Sequence, residues 1–247
     1  MKHKKAIDLS RFSFETKRDI NFYIKEKFQD SSKLTKRQIS KIENVAKYLE
    51  EGFPRDYLIG NSEFYGRNFL VDESVLIPRP ETEVLIDIIK SLNLSNDSVL
   101  CDLGTGSGCI GISLAMLNKS FIVFGVDISD DAIKVARKNN FIYQEKNFFL
   151  IQSNWASCFQ KDSIDCIISN PPYIDKNDYH LEDLKHEPLL ALVSGSKGLE
   201  AFEIITQQAK QLLKKDGFLL FEHGFDQCAD VVLSLIHISE PTRPSLI

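Results

Sequence analysis

The sequence predicts a doubly wound α/β domain with a mostly parallel sheet, preceded by a small helical domain. Two observations predict it. From Ser98 onward, short apolar runs alternate with stretches of helical period, and the runs stay apolar at successive positions, as strands covered on both faces do. Before Gly52, apolar residues instead recur at three- and four-residue steps.

Each element has its own signal. Phe14, Ile20, Tyr23, Ile24 and Phe28 mark one helix, and Ile39, Ile42, Val45, Ala46 and Leu49 mark a second. Ser31, Ser32 and Thr35 supply the break and the new start between them. Gly52, Pro54, Gly60, Gly66, Pro78 and Pro80 punctuate a linker, with a β-hairpin expected from the short apolar runs 69–71 and 75–77. Residues 83–92 follow as an amphipathic helix. The alternating region then reads as strand 99–103, helix 108–117, strand 121–127, helix 130–139, strands 148–152 and 164–169, helix 199–213 and strand 218–222. The expected organisation is a helical domain over 1–51, a linker over 52–82, the α/β domain over 83–232 and a foreign tail over 233–247.

Composition narrows the class. With 43% hydrophobic and 26% charged residues, the chain is an ordinary globular sequence, which excludes collagen-like and wholly disordered classes. No apolar run approaches the ~20 residues that cross a bilayer. The N-terminus has no signal-peptide core, and Asp8 and Glu15 argue against a transit peptide. Cys101, Cys109, Cys158, Cys166 and Cys228 form no CxxC pair and read as reduced core thiols, so a cytoplasmic location and no metal site are expected. His3, His180, His186, His223 and His237 have no metal-ligand spacing either. Residues 1–58 carry 14 Lys/Arg against 9 Asp/Glu, and the remainder 16 against 26. This is a mildly basic piece on an acidic body, without a strongly basic face for nucleic acid.

Three motifs carry chemistry. Asp102-Leu103-Gly104-Thr105-Gly106-Ser107-Gly108 ends the first strand of the α/β domain and opens a helix. Glycines there let the backbone turn sharply and approach a ligand, and Gly106, Gly108 and Gly111 satisfy GxGxxG, so the loop indicates a nucleotide-like cofactor. Asp127 ends the next strand, where a carboxylate accepts from ribose hydroxyls, while Ser129 is the better helix N-cap. Asn170-Pro171-Pro172-Tyr173 follows the fourth strand. The prolines stiffen the turn and donate no N–H. The Asn170 side-chain oxygen and a proline carbonyl together suit the two hydrogens of a planar NH2 group. Tyr173 offers an aromatic wall beside a cationic methyl donor.

Together these motifs resemble the Rossmann-like methyltransferases that use S-adenosylmethionine and methylate planar nitrogen. More closely, the chain resembles the HemK/PrmC family of release-factor glutamine methyltransferases, through PRDYLIGNSEFYGRNFLVDESVLIPRPETE at 54–83, HEPLLAL at 186–192 and FEHGFDQ at 221–227. The resemblance implies that Gly104, Thr105, Gly106, Ser107 and Gly108, with Asp102 at the start of the loop, form the cofactor's methionine and ribose site. It also implies that Asp127 holds the ribose, that Asn154 and Trp155 flank the adenine, and that Asn170 borders the cofactor too. Asn170, Pro171, Pro172 and Tyr173 would bind a glutamine amide, and Arg79, Pro80 and Glu81 would close the pocket. Asn154 stands where the family more often has Asp, and His223 where an aliphatic residue is common. The implied substrate is the Gly-Gly-Gln glutamine of class 1 peptide chain release factors, docked by the N-terminal helical domain of a monomeric enzyme without nucleic acid or membrane. Transfer would be a direct in-line displacement with no general base and no metal.

Three rival readings remain at this level. They are methylation of an exocyclic amine on a nucleic-acid base, a nicotinamide-dependent oxidoreductase, and a binding module that keeps the cofactor fold without catalysis. The end of the chain stands apart: LSLIHISEPTR at 233–243 resembles an in-frame translation of a transposase adapter used in DNA library preparation. The native coding sequence is therefore expected to end near Val232, leaving the strand at 218–222 without an outer neighbour.

Overall fold

The computed structural model describes residues 9–28, 34–236 and 245–246. It contains two compact units, residues 1–61 and 62–247. In the first, α1 (Phe14–Lys27) begins at Ser13, whose hydroxyl accepts from the Thr16 N–H. Helix α2 (Lys36–Glu50) begins at Thr35, in a capping box with Gln38. Ser31 and Ser32, expected at the break, lie outside the described residues. Ile20, Tyr23 and Ile24 of α1 and Ile42, Val45 and Ala46 of α2 form one core with Ile59. Ile59 ends a helix that periodicity missed, α3 (Arg55–Ile59), because five residues are too few to show a period.

The hairpin is real, but its strands are β1 (Asn61–Phe64) and β2 (Arg67–Leu70). Tyr65 and Gly66 form its turn with φ of 52° and 70°, the sign a two-residue hairpin turn requires. The run 75–77 is no strand. Val75 and Ile77 are buried, yet Pro78 and Pro80 beside them cannot donate to a ladder.

Helix α4 (Glu83–Ser91) leads into β3 (Val99–Leu103), α5 (Cys109–Leu117), β4 (Ile122–Asp127), α6 (Asp130–Tyr143), β5 (Phe148–Gln152) and β6 (Ile164–Ser169). A short α7 (Leu189–Leu192) precedes α8 (Glu200–Leu212), β7 (Leu213–Phe221), α9 (Cys228–Ile236) and β8 (Ser245–Leu246). The sheet order is β5-β4-β3-β6-β7-β8, and every neighbouring pair is parallel. Alternate strand residues feed opposite cores. Leu100, Cys166, Ile168 and Leu220 pack with α4 and α5, whereas Cys101, Leu103, Ile167 and Leu219 pack with α8. This two-sided burial is why the strands read as continuous apolar runs.

Two boundaries and one strand edge differ most from the sequence reading. Helix α6 runs past Asn139 to Tyr143, because Asn139 points inward rather than stopping the helix. Its Oδ1 accepts from the Leu70 N–H, and its Nδ2 donates to the Leu70 and Ser107 carbonyls. Strand β7 starts five residues early, through an irregular stretch where Asp216 has φ 63° and the register against β6 shifts. Its outer edge, expected bare, pairs with β8 through Phe218–Ser245 and Leu219–Leu246. Residues 237–244, which hold most of the adapter-like peptide, lie outside the described residues. Cys101, Cys109 and Cys166 are core thiols as expected, but Cys158 and Cys228 are exposed. Among the described residues no helix is long and apolar enough to cross a membrane.

Candidate active site

Strand order reverses beside β3. The chain moves outward through β4 to β5, then returns to β6 on the other side of β3. Loops leaving the carboxyl ends of β3 and β6 therefore diverge and leave a crevice between them. Those loops are the glycine segment 104–108 and the turn 170–173. A cavity of about 480 Å³ opens there, lined by Gly104, Thr105, Gly106, Ser107, Asp127, Asn154, Trp155, Asn170, Pro172 and Arg79, among others. A second cavity of about 370 Å³ is lined by Tyr173, Ile174, Leu184 and Glu187, and Arg79 and Asn170 line both.

The glycine loop holds Asp127 by its backbone. Gly106, at φ 53°, donates its N–H to Asp127 Oδ2 at 2.9 Å, and the Ser129 N–H donates to Oδ1 at 2.9 Å. Ser129 also caps α6, leaving Asp127 free of that role. Burial raises the Asp127 pKa, and these backbone donors oppose the rise. Asp102 is fully buried and, like Gly108, lines neither cavity. Its Oδ2 accepts from the Thr105 hydroxyl at 2.6 Å and the Gly111 N–H at 2.9 Å, tying the loop to α5. Burial pushes its carboxyl up to about 7. Gly111 matters for packing: a Cβ there would stand 2.4 Å from the Phe148 ring.

Across the cavity, Asn154 and Trp155 follow β5. A Cβ added at Gly104 would lie 3.7 Å from the Trp155 indole, so bare loop backbone lies beside that ring. On the other loop, the Ser169 hydroxyl donates to the Leu103 carbonyl at 2.7 Å and binds the ends of β6 and β3 together. Pro171 is buried beneath the turn and lines neither cavity, Pro172 lines the larger, and Tyr173 the smaller. Burial raises the Tyr173 pKa, and the nearby Glu222 adds to it. Arg79 reaches the junction of the cavities, whereas Pro80 and Glu81 line neither.

Three residues without a role in the sequence reading complete the site. Glu187 Oε1 accepts from Arg79 Nη2 at 2.5 Å, and its Oε2 accepts from the Ile77 N–H at 3.1 Å. Thr82 Oγ1 accepts from Asn170 Nδ2 at 3.1 Å. Glu222 lies beside them, its carboxyl facing Thr82 and Asn170 and its Oε2 buried without a hydrogen-bond partner among the described residues. Glu187 and Glu222 fall inside the matched segments HEPLLAL and FEHGFDQ, which was the one signal available. Their partners are distant in sequence, so no local pattern reveals the contacts.

The larger cavity fits a nucleoside-bearing cofactor. It offers an inward carboxylate fixed by two amides, an indole face, and the apolar walls Val126 and Ile128, in a volume usual for small-molecule sites. Among the described residues no cluster of three His, Cys, Asp or Glu could hold a metal ion.

Comparison with known proteins gives the family. Residues 94–234 match the family model described as a methyltransferase domain. A release factor glutamine methyltransferase of Coxiella burnetii is 40% identical over 187 residues, covering 75% of this chain and 67% of the relative. One from Shewanella oneidensis is 33% identical over 207 residues, covering 83% and 72%. A solved methyltransferase structure from Pyrococcus furiosus shares the fold, with a TM-score of 0.53 at 15% identity over 83% of this chain and 88% of that one. The chain is thus a methyltransferase, and it belongs to the release factor glutamine methyltransferase family.

Proposed function

We propose that this chain transfers a methyl group from S-adenosylmethionine to the side-chain amide nitrogen of the Gly-Gly-Gln glutamine in class 1 release factors, and so modulates translation termination. The observation that carries this reading is the position of Asn170, which lines both cavities where they adjoin. In this reading the larger cavity takes the cofactor. Trp155 and Asn154 flank the adenine, Asp127 accepts from the ribose hydroxyls, and the loop 104–108, anchored by Asp102, surrounds the methionine portion. When bound, the cofactor supplies an electrophilic methyl group on cationic sulfur. The smaller cavity takes the carboxamide, with Tyr173 as a wall.

An amide nitrogen is a poor nucleophile because its lone pair is delocalised into the carbonyl. The chain's own contribution is then geometric. Asn170 Oδ1 accepts from the carboxamide NH2 and turns the face of the nitrogen toward the larger cavity, with Pro171 buried beneath the turn as its support. Pro172 keeps the turn rigid, and Arg79, with Pro80 and Glu81 behind it, closes over the junction. Positioning of this kind supplies ~7–11 kcal/mol, and the fixed acceptor adds ~3 kcal/mol as charge develops on the nitrogen. The N-terminal helical unit docks the body of the release factor. The enzyme works in the cytoplasm as a monomer, and its acidic C-terminal portion disfavours nucleic acid as substrate.

Incubation with a release factor and a labelled methyl donor tests the reading. Label on the glutamine is expected, and Asn170→Ala lowers kcat more than ~100-fold, about 2.7 kcal/mol. Label on RNA or DNA instead, or an unchanged rate for the variant, refutes it.

A further inference from the structure

The terminal amide of an asparagine is nearly symmetric in shape. Turning it over exchanges oxygen for NH2 at almost no steric cost, so only its hydrogen-bond partners decide which end faces a ligand. Asn170 is useful to an incoming NH2 group only with its oxygen forward, because the reverse places donor against donor. Three separate chain segments meet at the other end of its side chain. Thr82, 3% exposed, closes the 3-10 turn Pro80–Thr82 and accepts from Asn170 Nδ2 at 3.1 Å. Glu222 follows β7, and its backbone N–H donates to the Ser169 carbonyl at 3.0 Å, which fixes it beside residue 170. Its carboxyl faces the side chains of both Thr82 and Asn170, and its Oε2 is buried without a hydrogen-bond partner among the described residues.

Hydrogen-bond polarity then runs one way. An ionised Glu222 has only lone pairs to offer, so the single hydroxyl hydrogen of Thr82 is drawn toward it. That leaves Thr82 Oγ1 an acceptor toward Asn170 Nδ2, with the Glu222 carboxylate beside them as a further acceptor-only group. Resting on the function proposed above, we propose that Thr82 and Glu222 are positioning residues that lock the Asn170 amide with its oxygen toward the substrate carboxamide. Protonated, Glu222 can donate to Thr82, which frees the hydroxyl hydrogen to face Asn170 and removes the preference.

Glu222 is surrounded by Arg79 and Glu81 from the segment before α4, and by Tyr173 from the turn after β6. His223 beside it is engaged through Nδ1 with the Gly224 carbonyl. Burial raises the Glu222 pKa, Glu81 adds to the rise, and the Thr82 and Asn170 side chains with Arg79 oppose it. The lock therefore forms above that raised value and is lost as pH falls through it.

The test uses the full chain with a release factor as substrate, and S-adenosylhomocysteine titrations to report the cofactor site. Thr82→Val and Glu222→Gln are expected to lower kcat 10- to 100-fold while S-adenosylhomocysteine affinity stays within twofold. Thr82→Ser restores kcat to within threefold of the parent. The parent loses kcat toward acid pH, and Glu222→Gln removes that limb. A second readout needs no turnover: the Asn170 side-chain NH2 protons, assigned in nitrogen-15 spectra against Asn170→Ala, exchange slowly in the parent and at least tenfold faster in Thr82→Val. Parent-like kcat or exchange in Thr82→Val, equal losses in the Val and Ser variants, or an acid limb that survives Glu222→Gln overturns the lock. A parent enzyme that labels no glutamine refutes the proposed function instead, and the exchange measurement still decides the lock.

Discussion

Replacing Glu187 with Gln separates structure from chemistry at the mouth of the site. The Glu187 side chain is 4% exposed, and its two oxygens serve two donors, Arg79 Nη2 and the Ile77 N–H. Gln keeps the shape but offers one oxygen and one NH2, so one of the two donors meets another donor. Losing a hydrogen bond to a charged group costs ~1.5–3 kcal/mol. Cutting a buried pair outright costs ~3–5 kcal/mol, and Arg79 is 32% exposed, so water recovers part of that. A loss of ~3 kcal/mol is expected for the C-terminal unit, whose size gives a midpoint shift of ~2–4 °C per kcal/mol, or roughly 6–12 °C in all. Scanning calorimetry of parent and variant reads this directly. The segment 75–82 carries Arg79 and Thr82, so its loosening also raises KM for the release factor at least fivefold, with S-adenosylhomocysteine affinity within twofold. A midpoint shift below ~2 °C together with parent-like KM would show that Glu187 does not hold this segment in place.

Other perturbations probe the remaining parts. The Asp102 carboxyl, at about 7 in the folded state against an unfolded value near 3.8, binds its proton more tightly when folded. Its contribution therefore favours the folded state at low pH and is lost as pH rises from ~4 to ~7, by ~4 kcal/mol at 1.36 kcal/mol per unit. Urea titrations across that window should show the slope in the parent and a flatter one in Asp102→Asn; equal slopes would remove Asp102 as its source. Trp155→Ala should weaken S-adenosylhomocysteine binding about tenfold in calorimetric titration, from ~1–3 kcal/mol of lost stacking. A change under twofold would place the adenine elsewhere. Gly111→Ala forces a methyl group to 2.4 Å from the Phe148 ring and should destabilise by ~1–3 kcal/mol in urea, whereas a neutral outcome would mean that α5 and β5 are not packed as described.

The parts of this protein that were legible in the sequence are those governed by neighbours along the chain. The ranges of β3, β5 and β6 follow from apolar runs, the start of α2 from Thr35, and the start of α6 from Ser129, because caps and periods act within four residues. Residues 104–108 and 170–173 are likewise local: the glycines permit φ of 72°, 53° and 82° at Gly104, Gly106 and Gly108, and the prolines withhold donors. Strand β7 was only half visible, since Lys214, Lys215, Asp216 and Gly217 look like a loop whether or not a neighbouring strand accepts them. Tertiary structure alone decided the strand order that sets the two loops facing each other. It also decided which carboxylates became interior partners: Asp102 under its loop, Glu187 against Arg79, and Glu222 behind Asn170. In the folded chain Glu187 meets Arg79 across 108 positions and Asn170 meets Thr82 across 88. At such separations pairing depends on the completed sheet and its loops, and no spacing in the chain encodes it.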